Sequence, residues 1–168
     1  MIGQKKFADT NAEKYINRWL DVTKSTMLFS RGIILVEGIA EALVLPKLAE
    51  IVLKKYNQGQ EKPLRLASTL DEMGVSVINI NGINFQYFGN FQGSSGPDIP
   101  IFCSGLTDRD PCKDDSDNVI YPEKDTEVES KNPVVSIKDE IDSNTWTRLF
   151  VSPLKTFEYD LATYNPKL

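Results

Sequence analysis

The stretch that decides the fold is Ile33-Ile34-Leu35-Val36-Glu37-Gly38-Ile39-Ala40-Glu41, an unbroken apolar run that leads into acids and a glycine. Four consecutive apolar residues predict a strand that is buried on both faces, as in a parallel sheet. A second stretch, Ile101-Phe102-Cys103-Ser104-Gly105-Leu106-Thr107-Asp108-Arg109-Asp110, repeats the pattern. Because parallel strands end at the same edge of a sheet, the acids of both stretches should meet there.

The rest of the chain predicts strands that alternate with helices. We expect strands at 33–36, 75–80, 99–104 and 147–151, and helices at 11–30, after Gly38, at 136–141 and from Thr156 onward. Glu41 should lie on the first turn of its helix, with a kink or a restart near Pro46. Residues 85–91 predict a short aromatic helix or loop, and 111–133 an exposed, acidic and mobile loop. The alternation predicts an α/β fold with a mostly parallel four-stranded sheet flanked by helices.

Length and charge bound the class of protein. The chain has 168 residues, of which 40% are hydrophobic, and these values suit one domain with a sizeable core. Its net charge of −5 argues against a freestanding nucleic-acid binder. The whole excess of negative charge, however, lies between residues 113 and 140, a stretch that contains nine acidic and four basic residues. The remainder of the chain is electrically balanced.

Cysteine and histidine usage excludes several chemistries. The chain has two cysteines, Cys103 and Cys112, and no histidine. Zinc sites, Ser-His-Asp catalysis and Cys-His catalysis are therefore not expected, and neither is a disulfide framework. Few cysteines, no leader-like segment and no long apolar run predict a cytoplasmic protein without a membrane segment.

The paired acids have several interpretations. The Glu37–Glu41 spacing more often marks a solvated helix face, and Asp108 and Asp110 would also suit a polar turn or a phosphatase-type pair with an Asp nucleophile. Two carboxylates about 4 Å apart repel by roughly 4 kcal/mol at an effective dielectric of about 20. Four converging acids must therefore be protonated, splayed apart or bound to cations. Mg²⁺ or Mn²⁺ suits such an all-oxygen set.

Other local patterns are less specific. Gly38 and Gly82 predict either tight turns or a close approach of the backbone to a ligand. Arg109 would be a phosphate contact or a local counter-charge. An EF-hand calcium loop is excluded because Lys113 and Val119 stand where glycine and glutamate are required. No glycine is followed by lysine, so we expect no ATP site of the Walker type in this chain.

Four stretches, in order along nearly the whole chain, resemble the Toprim domain of the OLD (overcoming lysogenization defect) family. Members of that family join an ABC-type ATPase to a Toprim nuclease. The helix with Trp19-Leu20-Asp21 also resembles the family's approach to this domain. The matching stretches are Arg31 to Glu41 with Leu45-Pro46, Leu70 to Asn79, Thr107-Asp108-Arg109-Asp110, and Thr156-Phe157-Glu158-Tyr159-Asp160-Leu161.

The resemblance implies a fold and an activity. The fold is the Toprim (Rossmann-like) fold, and the activity is cleavage or nicking of DNA with two Mg²⁺ or Mn²⁺ ions about 3.5–4 Å apart. Asp160 would be an outer partner of the site, and Glu37, Asp108 and Asp110 would be catalytic. The implied metal-binding acids are Glu37, Glu41, Asp108, Asp110 and Glu158.

The resemblance also implies an organisation and partners. Residues 1–30 would form a linker and amphipathic helix, and residues 31–168 the catalytic domain with the acidic loop 111–133. The ATPase and the C-terminal helical region would lie outside this chain, in the same protein or in a separate subunit. Implied partners are DNA, that ATPase and a second copy of the chain, in phage defence or DNA repair. Two alternatives stay open: a Toprim primase or topoisomerase-type domain, and a non-catalytic metal-binding interaction module.

Overall fold

A four-stranded parallel sheet forms the centre of the protein. The computed structural model describes residues 29–82, 92–93, 96–97, 101–114, 116–143 and 145–167. The predicted helix at 11–30 lies almost entirely outside the described residues, and the aromatic segment at 85–91 lies wholly outside them. The strands are β1 (Gly32–Val36), β2 (Val75–Asn79), β3 (Gln92–Gly93), β4 (Gly96–Pro97), β5 (Phe102–Thr107) and β6 (Thr147–Val151). The main sheet has the order β2-β1-β5-β6 with every pair parallel, while β3 and β4 form a separate antiparallel pair.

Within the described residues, four helices and one 3₁₀ turn accompany the strands. Helix α1 packs against β1 and β2, and α3 packs against β6. The predicted helix at 136–141 is in fact two short helices. The elements are α1 (Ile39–Gln58), a 3₁₀ turn (Lys62–Leu64), α2 (Pro133–Ser136), α3 (Lys138–Asp142) and α4 (Phe157–Tyr164). Among the described helices, none combines the length and apolarity needed to cross a bilayer.

The hydrophobic core lies against the central strand, as the apolar run predicts. Leu35 and Val36 of β1 are 1% and 0% exposed, so this strand is covered on both faces. Continuous burial of that kind is what a strand between two parallel neighbours requires. The core cluster consists of Ile33, Leu35, Ile78, Ile80, Val134 and Leu149.

The strand order creates a crevice at one edge of the sheet. From β1 the chain passes through α1 to β2 on one side, whereas β5 pairs with β1 on the other side. The connections therefore diverge between β1 and β5, and open α/β sheets bind ligands at the carboxyl ends of strands that flank such a point. Those ends are followed by Glu37 and Asp108.

One strand was predicted with the wrong bounds. The third strand of the sheet is Phe102–Thr107 and not 99–104, so it runs directly into Asp108. Of the two alternatives expected near Pro46, a kink or a restart of the helix, the restart does not occur, because α1 is one helix from Ile39 to Gln58. Proline inside a helix removes one N–H donor and crowds the preceding turn.

The acidic loop 111–133 is mostly exposed, as predicted, but it is tied to the fold at several points. Pro111 and Ser130 form an antiparallel bridge at its base, and the hydroxyl of Tyr159 in α4 donates to the Pro122 carbonyl at 2.9 Å. Pro111, Pro122 and Asn132 are buried. These contacts hold the loop against β5 and α4.

Candidate functional site

Glu37 lies immediately after β1 at the crevice and is half-buried. Its Oε1 accepts hydrogen bonds from the Thr107 hydroxyl and from the Asp108 N–H, the latter at 3.3 Å. Burial raises the pKa of Glu37 above its ordinary value, and the charges of Asp110 and Glu41 act in the same direction. The two hydrogen bonds oppose this shift, because they favour the ionised carboxylate.

Asp108 is the first residue after β5 and is also half-buried. Its Oδ1 accepts a hydrogen bond of 2.9 Å from the N–H of Phe157, the first residue of α4. Burial raises the pKa of Asp108 to about 7, and the charges of Glu37, Glu41 and Glu158 add to that rise. The ionised form of such an acid is unfavourable unless a nearby cation compensates its charge.

Glu41 lies on the first turn of α1, as predicted, and is only 6% exposed. Its carboxylate folds back over Gly38, where an added Cβ would lie 2.8 Å from Oε2 of Glu41. The N–H of Gly82 donates to the Glu37 carbonyl at 3.0 Å, and Gly82 has a φ of 133°. At Gly82, then, the backbone conformation favours glycine, while a side chain at Gly38 would require the Glu41 carboxylate to move.

Asp110 and Glu158 complete the predicted acid set. Asp110 has a φ of 49°, and its N–H donates to the Lys155 carbonyl at 3.3 Å. Glu158 is exposed on the first turn of α4, one residue after the Phe157 N–H that holds Asp108. Both residues therefore border the edge to which Glu37 and Asp108 belong.

The five acids influence each other electrostatically but do not form a finished cage. The pKa shifts of Glu37 and Asp108 draw on the charges of Glu41, Asp110 and Glu158. The ion pairs between described residues use other acids, as in Lys47–Glu50, Lys113–Asp117 and Lys138–Asp142. Within the described ranges, no three acidic or cysteine side chains are grouped closely enough to hold a metal ion. The donor set suits a hard cation, and its side chains would have to close round one.

Arg109 acts as a clamp between the acidic loop and the end of β6. Its Nε donates to the Ser152 carbonyl at 3.1 Å and its Nη1 to the Val128 carbonyl at 3.0 Å. An open cleft of about 680 Å³ lies beside it, lined by Arg109, Thr126, Glu127, Val128, Glu129 and Pro153. Because two carboxylates share this lining, the cleft is a poor place for phosphate.

Asp160 stabilises the turn at Leu154 and Lys155, next to the acids. It is 7% exposed, and its two carboxylate oxygens accept the N–H groups of Leu154 and Lys155 at 3.2 and 3.1 Å. The Lys155 carbonyl in turn accepts the N–H groups of Arg109 and Asp110. Asp160 thus fixes the turn that positions the Asp108–Asp110 segment, and its outer role at a metal site stays a prediction.

We expect Asp160→Ala to lower the free energy of unfolding by about 2–4 kcal/mol. The change leaves one buried N–H group, of Leu154, and one partly buried N–H group, of Lys155, without this acceptor, and each such loss costs about 1–3 kcal/mol. Urea denaturation measures the effect, with Asp139→Ala as the control because Asp139 is an exposed acid. Equal stability of the two variants would contradict the bracing role.

Sequence reasoning missed two residues that organise the edge. The sequence shows Thr107 only as part of a motif, yet this residue is 1% exposed and donates to Glu37. Asn132 lies in the loop predicted to be exposed, yet it is 4% exposed and bonds to Thr107 across 25 positions of sequence. The only local signal for Asn132 was Pro133 after it, a pairing typical of a helix start.

Residues 28–110 match the family model described as "Overcoming lysogenization defect protein-like, TOPRIM domain". No curated protein is significantly similar to the chain.

Solved structures with similarity include C-terminal regions of two OLD proteins. One is from Xanthomonas campestris pv. campestris, with 22% identity, a TM-score of 0.40, and coverage of 75% of this chain and 52% of that one. The other is from Burkholderia pseudomallei, with 23% identity, a TM-score of 0.40, and coverage of 77% and 56%. The chain thus spans about half the length of the solved chains that it matches.

Proposed function

We propose that this chain is an OLD-like Toprim domain, as its match over residues 28–110 suggests, and that its acidic edge, formed by Glu37, Glu41, Asp108, Asp110 and Glu158, binds Mg²⁺ or Mn²⁺ and hydrolyses phosphodiester bonds of DNA. The family assignment implies a metal-binding, nuclease-type domain. The finer parts of the proposal are the identity of the cations, the presence of two of them and the DNA substrate.

One observation carries the proposal: the half-buried carboxylates of Glu37 and Asp108 follow the two central strands at the point where the connections diverge. The Asp108 N–H reaches Glu37 Oε1 at 3.3 Å, so the two acids are direct neighbours. Burial raises the pKa of each. A divalent cation would offset that penalty, and titratable groups with such perturbed values in a crevice are typical of functional sites.

The chain's own residues divide the work between them. Among the described residues, the hydrogen bonds to the Glu37 carboxylate go to Oε1, so Oε2 is the atom that we assign to a cation. Asp108 is held by the Phe157 N–H through Oδ1, which assigns Oδ2 in the same way. Asp110, Glu41 and Glu158 supply further carboxylates. Bound divalent cations would activate water and stabilise the leaving oxygen, chemistry that needs no histidine.

The setting of the activity follows from the family relationship. We propose that this domain works with an ABC-type ATPase, in the same protein or in a separate subunit, in the cytoplasm, and that it serves phage defence or DNA repair. We propose that this domain cuts slowly without its ATPase partner.

A non-catalytic metal-binding module is the second candidate. Its basis is the same pair of half-buried carboxylates, Glu37 and Asp108, which a cation would compensate whether or not DNA is cut. On this reading the edge would bind a cation to fix the domain's shape and would leave cleavage to another part of the protein.

We expect Mn²⁺ or Mg²⁺ to bind the chain and to support nicking of supercoiled plasmid DNA. Isothermal titration calorimetry measures the binding, and conversion of supercoiled to open-circular plasmid measures the cleavage, with EDTA as the metal-free control. Binding should raise the melting temperature, because a ligand that binds only the folded state stabilises it.

The outcomes separate the two candidates. Nicking that needs the metal supports the nuclease. Binding without nicking, even at high protein concentration, favours the non-catalytic module. Absence of binding contradicts both.

A further inference from the structure

We propose that Asn132 is a positioning residue for the acidic edge: it orients the Thr107 hydroxyl so that this group holds Glu37 in the place where the carboxylate meets a metal ion. The inference rests on the proposed metal site. It concerns residues outside the predicted acid set, and Asn132 also lies outside residues 28–110 of the family match.

The contacts of Asn132 fix how its amide is oriented. Nδ2 donates to the Asp108 carbonyl at 2.7 Å and to Thr107 Oγ1 at 2.9 Å, while Oδ1 accepts the Val134 N–H at 3.0 Å. A carbonyl can only accept and a backbone N–H can only donate, so the two ends of the amide cannot be exchanged. Asn132 is 4% exposed, which leaves its amide largely shielded from competing water.

The direction of the next hydrogen bond follows from that orientation. A threonine hydroxyl has one proton to donate. Because Asn132 donates into Thr107 Oγ1, that proton is directed to Glu37 Oε1. Thr107 is 1% exposed, so the chain of donors from Asn132 through Thr107 to Glu37 is sheltered from water.

Capping of α2 does not by itself explain the residue. Ser or Asp would cap that helix as well as Asn, since only an acceptor for the Val134 N–H is needed. Asn adds two N–H donors, and both point to the end of β5, at Thr107 and Asp108. One side chain thus links the last turn of the acidic loop to both central acids. Partners that orient metal ligands in this way typically change metal affinity by tenfold to a hundredfold when they are lost.

The test compares Mn²⁺ affinities by isothermal titration calorimetry at a temperature where circular dichroism shows every variant folded. Thr107→Val keeps the shape but removes the hydroxyl, and Asn132→Ser keeps the cap acceptor but removes the amide donors. We expect each to raise the dissociation constant for Mn²⁺ by about tenfold or more. Thr107→Ser keeps the hydroxyl and should stay within about threefold of the wild type.

The double variant Thr107→Val/Asn132→Ser gives a second readout. If Asn132 acts through Thr107, the double variant should bind Mn²⁺ no more weakly than the single variant with the higher dissociation constant, because the effects of coupled residues are not additive. A merely structural role would lower the melting temperature without changing the Mn²⁺ affinity of the folded protein.

Each outcome decides the matter. Wild-type binding of Mn²⁺ with unchanged affinity in Thr107→Val and Asn132→Ser overturns this inference alone. Wild-type protein that binds no Mn²⁺ overturns the proposed function, and this inference with it. Weaker binding in both single variants, rescue by Thr107→Ser and non-additivity in the double variant support it.

Discussion

Asp108→Asn is expected to reduce Mn²⁺-dependent nicking of supercoiled plasmid by about 10³-fold. The amide oxygen can still accept the Phe157 N–H, which Oδ1 of Asp108 accepts at 2.9 Å, so the local geometry should persist. What disappears is the negative charge at the crevice between β1 and β5. Loss of one electrostatic group aimed at the reacting centre typically costs 10²–10³ in rate, and loss of a metal ligand should reach the upper end.

The matched control is Asp117→Asn, the same chemical change in the acidic loop. Asp117 is exposed and pairs with Lys113 at 2.8 Å, so its replacement should leave nicking within about twofold of the wild type. Initial rates of open-circle formation at saturating Mn²⁺ give the comparison. If Asp108→Asn cuts as fast as Asp117→Asn, the acidic edge is not the site of cleavage.

Metal-free protein should lose stability at Asp108 as the pH rises from about 4 to about 7. The pKa of Asp108 in the folded state is about 7, above its ordinary value of 3.8. Between these values the folded state keeps a proton that the unfolded state has released, so a rising pH favours unfolding. For a fully buried group, the loss in free energy of unfolding would be about 4 kcal/mol. Because Asp108 is half-exposed, we expect a loss of about 1–2 kcal/mol.

The difference between wild type and Asp108→Asn isolates this effect. The pKa values of Asp114 and Asp142 are lowered, so the ionisation of these two acids stabilises the folded protein as the pH rises. This stabilisation would mask the effect of Asp108 if only the wild type were measured. At pH 8 without metal, Asp108→Asn should melt about 2–8 °C above the wild type, and at pH 4 the two should coincide. Added Mn²⁺ should raise the melting temperature of the wild type but not that of Asp108→Asn. A variant that is less stable at pH 8 would contradict the raised pKa.

The elements that the sequence predicted well are those that carry their own local signal. The apolar run at 33–36 could only be a strand covered on both faces, and β1 is the best-buried strand of the sheet. The predicted bounds of the fourth strand of the sheet, 147–151, are those observed. The observed third strand, Phe102–Thr107, lies three residues further along the chain than the predicted 99–104.

The arrangement around the acids was less accessible from sequence. Glu37 and Asp108 could be expected at one edge because parallel strands share their carboxyl ends. The bonds that hold them come from far along the chain: Phe157 to Asp108 spans 49 positions, and Asn132 to Thr107 spans 25. No periodicity encodes such pairs, because each joins residues of separate elements that are distant in sequence. Which acids converge was therefore predictable, whereas what orients them was not.

The bridge at the base of the acidic loop has a consequence for how this domain can vary. Pro111 pairs with Ser130, Cys112 N–H bonds to the Glu129 carbonyl at 3.0 Å, and Lys131 N–H bonds to the Asp110 carbonyl at 2.9 Å. The acidic loop thus leaves and rejoins the rest of the domain at neighbouring points, and hydrogen bonds fix both of its ends. The tip of the loop can lengthen, shorten or be replaced by another peptide while the acids beside its ends keep their positions. Changes at the tip could therefore alter what the domain binds without altering the acidic site.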